Sequence, residues 1–144
     1  MIRAATIEDA RLLAVLAVQM WTSHTVTELE NSFKELLVKS DVGCFLKFEE
    51  SQAVAFAQCG LRHDYVEGTN TSPVGYLEGI FVIEEYRHQG IARELLSACE
   101  KWVKDKGCLE FASDCELNNE ESLKFHIAMG FCEANRIICF NKKI

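Results

Sequence analysis

The stretch RHQGIA at residues 87–92 has the residue types of a phosphate-binding turn. It carries basic side chains, a glycine suited to a tight turn, and a following run with apolar residues at helical spacing, namely Ile91, Leu95, Leu96 and Cys99. The start of a helix offers unpaired N–H groups and the positive end of the helix dipole, and both attract a phosphate. On spacing alone the motif is weak, because an ordinary loop with Gly90 relieving the turn has the same pattern.

The elements on either side of this turn must position it. Val74–Ile83 is rich in β-branched and aromatic residues, which predicts a strand, and Gly79 is its weak point. Glu84–Gln89 is a polar connection, and the helix that begins at Gly90 should end near Gly107. A carboxylate at Glu78, inside an otherwise apolar strand, is costly unless it is paired or faces a wet cleft.

The rest of the chain predicts one α/β domain over residues 1–144, with a mixed sheet containing antiparallel pairs. Thr6 and Asp9 resemble a capping box at the start of the first helix. The predicted helices are Ile7–Met20, Thr27–Lys39 and Asn118–Met129, and the predicted further strands are Ile2–Ala5, Val42–Phe48, Ala53–Leu61, Cys108–Asp114 and one or two within Phe131–Phe140. Arg62–Pro73 is a polar loop of a length that is often functional.

Composition narrows the function classes. The net charge of −7 argues against nucleic-acid binding and is compatible with a cationic partner. There is no apolar run long enough for a membrane span and no signal-peptide pattern after Met1, so we expect a cytoplasmic protein. The seven cysteines are odd in number and lack a C-x-x-C pair, which favours small core residues in a reduced protein. Neither they nor the four histidines have ligand spacing, so we expect no metal.

The motif at residues 87–92 resembles the R/Q-x-x-G-x-G/A signature of the GNAT superfamily of N-acetyltransferases, with Ala92 in the last small position. The LEGIFV strand before it, the opening Thr6–Asp9 segment, and Asn119 followed by Gly130-Phe131 resemble the family as well. The resemblance implies a twisted, mostly antiparallel sheet with a splayed strand pair and about four helices, and acetyl-CoA as cosubstrate. It implies that the loop amides hold the pyrophosphate, that the splayed strand holds the pantetheine, and that a cap-like asparagine lies near the thioester. These cofactor residues are Ile80, Phe81, Val82, Arg87, His88, Gln89, Gly90, Ile91, Ala92, Arg93 and Asn119.

Longer matches are similar to the aminoglycoside 6′-N-acetyltransferases: Trp21-x-x-His24, RHDYVEGTNTSPVGYLEGIFV at 62–82, Ala112–Asp114 and His126–Phe131. This similarity implies 6′-amino acetylation, antibiotic resistance and an acceptor site formed by Trp21, His24, Tyr65, Glu78, Asp114 and Asn135. A site for a polycationic sugar needs carboxylates that pair with its ammonium groups and aromatic rings that contact the sugar or its cations. Asn135 departs from the pattern, since relatives often carry a carboxylate there, and Glu133 would share its face on a regular strand.

The resemblance implies direct attack of the amine on the thioester, without an acyl-enzyme. Glu78 is the candidate base, Asp114 would help orient the amine, and a backbone N–H near Phe81 or Val82 would bind the developing oxyanion. His126 lies seven residues after Asn119 and is a candidate acid, although a packing role is equally compatible and water could protonate the thiolate.

Blander interpretations stay open for the individual residues. Trp21 alone is typical of a core, His24 of a helix flank, Tyr65 of a closed loop, Asn119 of a helix cap and Asp114 of an Asx-turn. For the whole protein, the alternatives are an acetyltransferase acting on a protein N-terminus, a polyamine or another small amine, a non-catalytic acyl-CoA module, and, more remotely, a phosphate-binding domain that does not use CoA. We also expect a homodimer, because exposed terminal strands can pair between subunits.

Overall fold

The carboxylate of Asp9 joins the first strand to the first helical turn. Arg3 donates to it through two guanidinium nitrogens at 2.7 and 2.8 Å, and the Thr6 backbone N–H donates at 2.8 Å. The Arg3 hydrogen bonds, assisted by those from Thr6, lower the pKa of Asp9 from 3.8 to about 2. The capping box predicted at Thr6 and Asp9 is therefore present, with Arg3 as an added partner.

A computed structural model describes all residues 1–144. The strands are β1 (Ile2–Ala4), β2 (Val42–Glu49), β3 (Gln52–Arg62), β4 (Val74–Val82) and β5 (Phe111–Ala112). The helices are α1 (Ala10–Ala17), α2 (Val26–Leu37), α3 (Ile91–Asp105) and α4 (Glu120–Ala128), with short 3₁₀ turns at Ile7–Asp9 and Glu84–Tyr86. No helix combines the length and apolar character that a membrane span needs.

The five strands form one sheet in the order β1-β2-β3-β4-β5. The first four pair antiparallel and β4 pairs with β5 in parallel, so the predicted mixed, mostly antiparallel sheet is confirmed. The β4–β5 pairing covers only Gly75 with Phe111 and Tyr76 with Ala112. From Leu77 to Val82, β4 therefore has no partner on that side, and this is the splayed pair expected from the family resemblance.

Helices cover both faces of the sheet, because successive apolar side chains along a strand point to opposite faces and both faces are therefore apolar. On one face α1 and α2 bury Leu13 and Phe33 against Phe56, with the two phenyl rings edge to face at 6.1 Å. On the other face α3 buries Leu95 and Cys99 against the central strands. Burying each large apolar side chain contributes roughly 1.5–3 kcal/mol, so the two layers fix the strands that carry the site.

The cysteines divide into two groups. Cys44, Cys59, Cys99 and Cys108 are buried, as predicted for small core residues, whereas Cys115, Cys132 and Cys139 are exposed, so the prediction is wrong for these three. Burial raises the pKa of the Cys44 thiol to about 12. That thiol stays protonated and unreactive at neutral pH.

Three predictions about helices and strands are wrong: one strand is shorter than predicted, one predicted strand region forms no strand, and one helix ends early. The predicted strand Cys108–Asp114 shrinks to two residues, and Phe131–Phe140 forms no strand, because neither segment finds a long partner within the chain. The first helix ends at Ala17 rather than Met20. There the backbone tightens, with Met20 N–H bonded to the Ala17 carbonyl at 3.0 Å, and Trp21 follows directly.

Candidate active site

The turn between β4 and α3 presents backbone N–H groups rather than side chains. His88 and Gly90 have positive φ angles of 60° and 85°. Left-handed residues of this kind occur in nests, which are backbone concavities that bind anions through their N–H groups. A Cβ at Gly90 would meet no atom within 4 Å, so its φ angle, not space, favours glycine there. The first N–H groups of α3 have no acceptor within the helix. The turn therefore has the features of an anion-binding site, and its contact with the CoA pyrophosphate stays a prediction.

Side chains of the turn stabilise its shape. Arg87 Nε donates to the Val82 carbonyl at 2.9 Å, and Gln89 Nε2 donates to the Glu85 carbonyl at 3.2 Å. The one acidic side chain in the first turn of α3, Glu94, accepts from Lys47 Nζ at 2.9 Å. That ion pair offsets a negative charge close to the helix start.

Asn119 caps α4. Its side-chain oxygen accepts from the Ser122 N–H at 3.1 Å. This is the helix-cap alternative left open by the sequence, and its contact with CoA stays a prediction.

A β-bulge places Glu78 at the centre of the site. Gln58 pairs with Gly79 and Cys59 pairs with Leu77, so Glu78 is the extra residue between them. Its carboxylate is exposed and paired with Arg62 at 3.0 and 3.1 Å from one guanidinium nitrogen. The carboxylate thus has both compensations that the sequence demanded, a cationic partner and contact with water.

Arg62 continues the network toward β5. Its guanidinium carbon lies 3.4 Å from the centroid of the Tyr76 ring, and the Tyr76 hydroxyl donates to Asp114. Burial, and then the hydrogen bond to the Asp114 carboxylate, raise the pKa of Tyr76, so the phenol remains a donor. We call Glu78, Arg62, Tyr76 and Asp114 the acceptor cluster.

Trp21 packs beside this cluster. A Cβ at Gly79 would lie only 2.8 Å from Trp21 Cζ2, so the glycine lets the indole approach the strand next to Glu78. The indole also contacts Phe56 edge to face, with centroids 6.1 Å apart. Trp21 therefore joins the core to the site, which combines its two interpretations from the sequence.

The other predicted acceptor residues lie farther out. Tyr65 is 77% exposed in the loop after β3. His24 Nδ1 lies 3.3 Å from Glu28 Oε2 on α2, and no hydrogen bond or ion pair joins His24 to the acceptor cluster. These two positions stay predictions.

Asn135 contacts the loop Arg62–Pro73. Its Nδ2 donates to Glu67 Oε1 at 2.7 Å. Glu133 is paired with Arg136 instead, and its segment is not a strand, so the idea that Glu133 shares a strand face with Asn135 is wrong. A carboxylate does lie beside Asn135, but it is that of Glu67.

His126 is oriented by two partners. Its Nδ1 lies 2.6 Å from the Ser122 carbonyl, which can only accept, so Nδ1 carries a hydrogen. Its Nε2 lies 2.8 Å from Ser113 Oγ, which lies 3.3 Å from the carbonyl of Leu77. The imidazole therefore reaches the splayed pair through Ser113, next to the bulge.

Sequence reasoning missed Arg62, Tyr76 and Ser113. Tyr76 and Glu78 are two residues apart on one strand, a spacing that places them on one face. Arg62 opens the long matching stretch at residues 62–82. Ser113 is the middle residue of the matched segment Ala112–Asp114. Its contact with His126 becomes visible only in the folded structure.

The chain matches the model of the acetyltransferase (GNAT) family over residues 10–131. It is 39% identical to the aminoglycoside N(6′)-acetyltransferase type 1 of Acinetobacter baumannii over 141 residues, which is 96% of each protein. It is 38% identical to the protein of the same name from Salmonella typhimurium over 125 residues, 87% of this chain and 86% of that protein.

Solved structures agree with these matches. AAC(6′)-Iy in complex with the bisubstrate analogue CoA-S-monomethyl-acetylneamine superposes with a TM-score of 0.95 at 35% identity, covering 100% of this chain and 98% of the other. The aminoglycoside 6′-N-acetyltransferase AAC(6′)-Ih from Acinetobacter baumannii superposes with a TM-score of 0.90 at 37% identity, with 100% and 98% coverage. The turn at residues 87–92 and the splayed strand pair agree with these matches. The family model and the relatives show that the chain belongs to the GNAT family of acetyltransferases, among the aminoglycoside 6′-N-acetyltransferases.

Proposed function

We propose that this protein transfers the acetyl group of acetyl-CoA to the 6′-amino group of aminoglycosides and thereby confers resistance to them. One observation carries the proposal: the Glu78 bulge lies at one end of the unpaired strand edge Leu77–Val82, and the turn at residues 87–92 follows the other end after the short 3₁₀ turn Glu84–Tyr86. An anionic acceptor cluster and an anion-binding turn are thus held at a fixed separation. From Glu78 to Val82 the strand spans about 13 Å.

The cofactor site uses mostly backbone. Acetyl-CoA, when bound, supplies an acetyl thioester. The N–H groups from His88 to Arg93 hold its pyrophosphate, and the unpaired edge at Ile80–Val82 hydrogen-bonds its pantetheine. Arg87 and Gln89 keep the turn in shape, and Ile91 anchors the helix start in the core.

Glu78 is the proposed general base. An amine arrives mostly as an ammonium group and must lose a proton before it can attack. The bulge turns this carboxylate out of the sheet at the end of the unpaired edge, and Asp114 lies across the splay to orient the amine. A backbone N–H at Phe81 or Val82 binds the developing oxyanion, which it can do without reorganisation.

His126 is the proposed general acid, acting through Ser113. In the protonated form, Nδ1 donates to the Ser122 carbonyl and Nε2 donates to Ser113 Oγ. The Ser113 hydroxyl, which faces the Leu77 carbonyl at 3.3 Å, then turns its hydrogen to the leaving thiolate. The protonated thiol and a neutral imidazole then result. Water is the alternative donor, since a thiolate of pKa about 8.5 needs little help.

Assembly and surroundings complete the proposal. The segment after α4 exposes Ile137, Ile138 and Phe140 without forming a strand, and β5 beside it is a two-residue edge. Pairing of this segment with a second copy of the chain would bury its exposed apolar side chains and give the β5 edge a partner strand. Both effects support a homodimer. The net charge of −7 supports a partner that is neither nucleic acid nor an anionic membrane, and seven free cysteines support a cytoplasmic location.

Acetyl transfer by the wild type and by Glu78→Gln tests the chemistry. With kanamycin and acetyl-CoA, release of CoA should be rapid for the wild type. The amide should lower kcat by about 10²–10⁴-fold and change its pH profile. An unchanged kcat and pH profile in Glu78→Gln would remove Glu78 as the base, and a panel of other amines separates aminoglycosides from different acceptors.

A further inference from the structure

Arg62 occupies the carboxylate that an incoming ammonium group needs. Its Nη2 lies 3.0 and 3.1 Å from the two oxygens of Glu78, and its Nε lies 3.3 Å from one of them. Two guanidinium nitrogens thus make three contacts with the carboxylate, in the fork geometry that arginine provides. An ammonium group cannot take up the same lone pairs while Arg62 stays in place.

The same side chain is held from behind by an aromatic ring. The guanidinium carbon lies 3.4 Å from the Tyr76 ring centroid, in cation–π geometry. The ring is fixed in turn, since Tyr76 is buried and its hydroxyl donates to Asp114. Arg62 can therefore release Glu78 and still keep its contact with Tyr76.

We propose that Arg62 is a resident cation of the acceptor site, which the acceptor's ammonium group displaces from Glu78 on binding. This inference rests on the proposed function and adds a specificity-determining residue to it. On binding, the ion pair between Glu78 and the acceptor's ammonium group replaces the ion pair between Glu78 and Arg62. An acceptor with a single amine therefore gains little binding free energy from this contact. Net affinity must come from further ammonium groups that reach other carboxylates, and Arg62 thereby selects acceptors with several positive charges.

Removal of the resident cation should strengthen binding. The ion pair is partly exposed, with 43% and 33% of the two side chains accessible, and pairs of this kind correspond to about a two- to fivefold change in affinity. Arg62→Gln should therefore lower the Kd for kanamycin by about this factor. If Arg62 only held Glu78 in place, the same substitution would raise the Kd.

Salt dependence separates the two roles further. In the wild type, binding exchanges one ion pair for another at Glu78, so screening changes little there. In Arg62→Gln the acceptor forms a new ion pair, and its Kd should rise more steeply between about 10 and about 150 mM salt. Arg62→Lys keeps a cation without the fork and should lie between the two.

Calorimetric titration of kanamycin into the CoA complex tests this for the wild type, Arg62→Gln, Arg62→Lys and Arg11→Gln. Arg11 is the matched control, because its 3.0 Å pair with Glu30 lies on the α1–α2 surface and its loss changes the net charge equally. A lower Kd and steeper salt dependence in Arg62→Gln alone support the proposal. A Kd that is unchanged or higher in Arg62→Gln, or equally lowered in Arg11→Gln, overturns it. Wild-type turnover is measured in parallel: its absence refutes the proposed function, while the Kd comparison still decides the role of Arg62.

Discussion

Gly79→Ala tests how closely the fold holds Trp21 against the acceptor site. The added Cβ would lie 2.8 Å from Trp21 Cζ2 and 2.9 Å from Met20 Cε. Carbon atoms pack at about 3.5–4.0 Å, so the indole must move by about 0.7 Å or more. The methionine end can rotate away, but the indole is backed by the fully buried Phe56.

Two effects should follow from that displacement. Overpacking of this kind costs about 1–3 kcal/mol, which for a chain of this size lowers the Tm by about 3–10 °C. Because the indole belongs to the proposed acceptor site and not to the proposed cofactor turn, the KM for kanamycin should rise while the KM for acetyl-CoA stays constant. A misplacement near 1 Å can cost up to about 10²-fold in activity, so we expect kcat/KM for kanamycin to fall by tenfold or more.

Gly43→Ala is the matched control. Its Cβ would lie 3.0 Å from the other tryptophan, Trp102, and 3.3 Å from Cys59 Sγ, in the core that packs against α3. It should lower the Tm without changing the KM for kanamycin. Calorimetric melting and steady-state kinetics with both substrates provide the comparison. A wild-type Tm and KM in Gly79→Ala, or an equal loss of acceptor affinity in Gly43→Ala, would refute the reasoning.

Two further predictions concern stability and the acid. Asp9→Asn should lower the free energy of unfolding by about 2 kcal/mol at pH 7, because the native pKa of Asp9 is about 2 against 3.8 unfolded. A depressed carboxyl pKa stabilises above the unfolded value, so in urea titrations the difference between wild type and Asp9→Asn should shrink as the pH falls from about 4 to about 2; a constant difference would contradict the Asp9 assignment. His126→Phe should lower kcat with little change in the KM for kanamycin, and Ser113→Ala should do the same, since both groups lie on one path to the leaving thiolate. An unaltered kcat in both variants, measured by CoA release, would leave water as the proton donor.

The sequence predicted correctly those helices and turns whose formation depends on residues close together in the chain. The capping box at Thr6, the hairpin of β2 and β3, and the helix after Gly90 all follow from periodicity and turn chemistry within a few residues. The C-terminal strands failed because strand pairing needs a partner that the pattern of Phe131–Phe140 does not contain. β5 shortened for the same reason, since it lies at the edge of the sheet.

The candidate site depends on contacts between distant residues. Glu78 stood out from its apolar neighbours, but the bulge that turns it outward arises from the register against Gln58 and Cys59. Arg62 is sixteen residues from Glu78, and the pairing of β3 with β4 brings them together. Such contacts follow from topology, and neither composition nor local spacing contains them.

The contact of His126 with Ser113 is of the same kind. The helical spacing from Asn119 placed His126 on a candidate face, and the resemblance suggested an acid there. The partner that links its Nε2 to the splayed pair is Ser113, which follows β5 and lies thirteen residues away in the sequence. A sequence pattern can therefore nominate the imidazole without specifying its route to the thiolate.

Mass spectrometry of kanamycin after incubation with the protein and acetyl-CoA tests the central claim most directly. The account predicts a single added acetyl group, located by fragmentation on the ring that carries the 6′-amine, and its loss in Glu78→Gln. Unmodified kanamycin after complete incubation with folded, CoA-binding protein, or acetylation at a different amine, would contradict it.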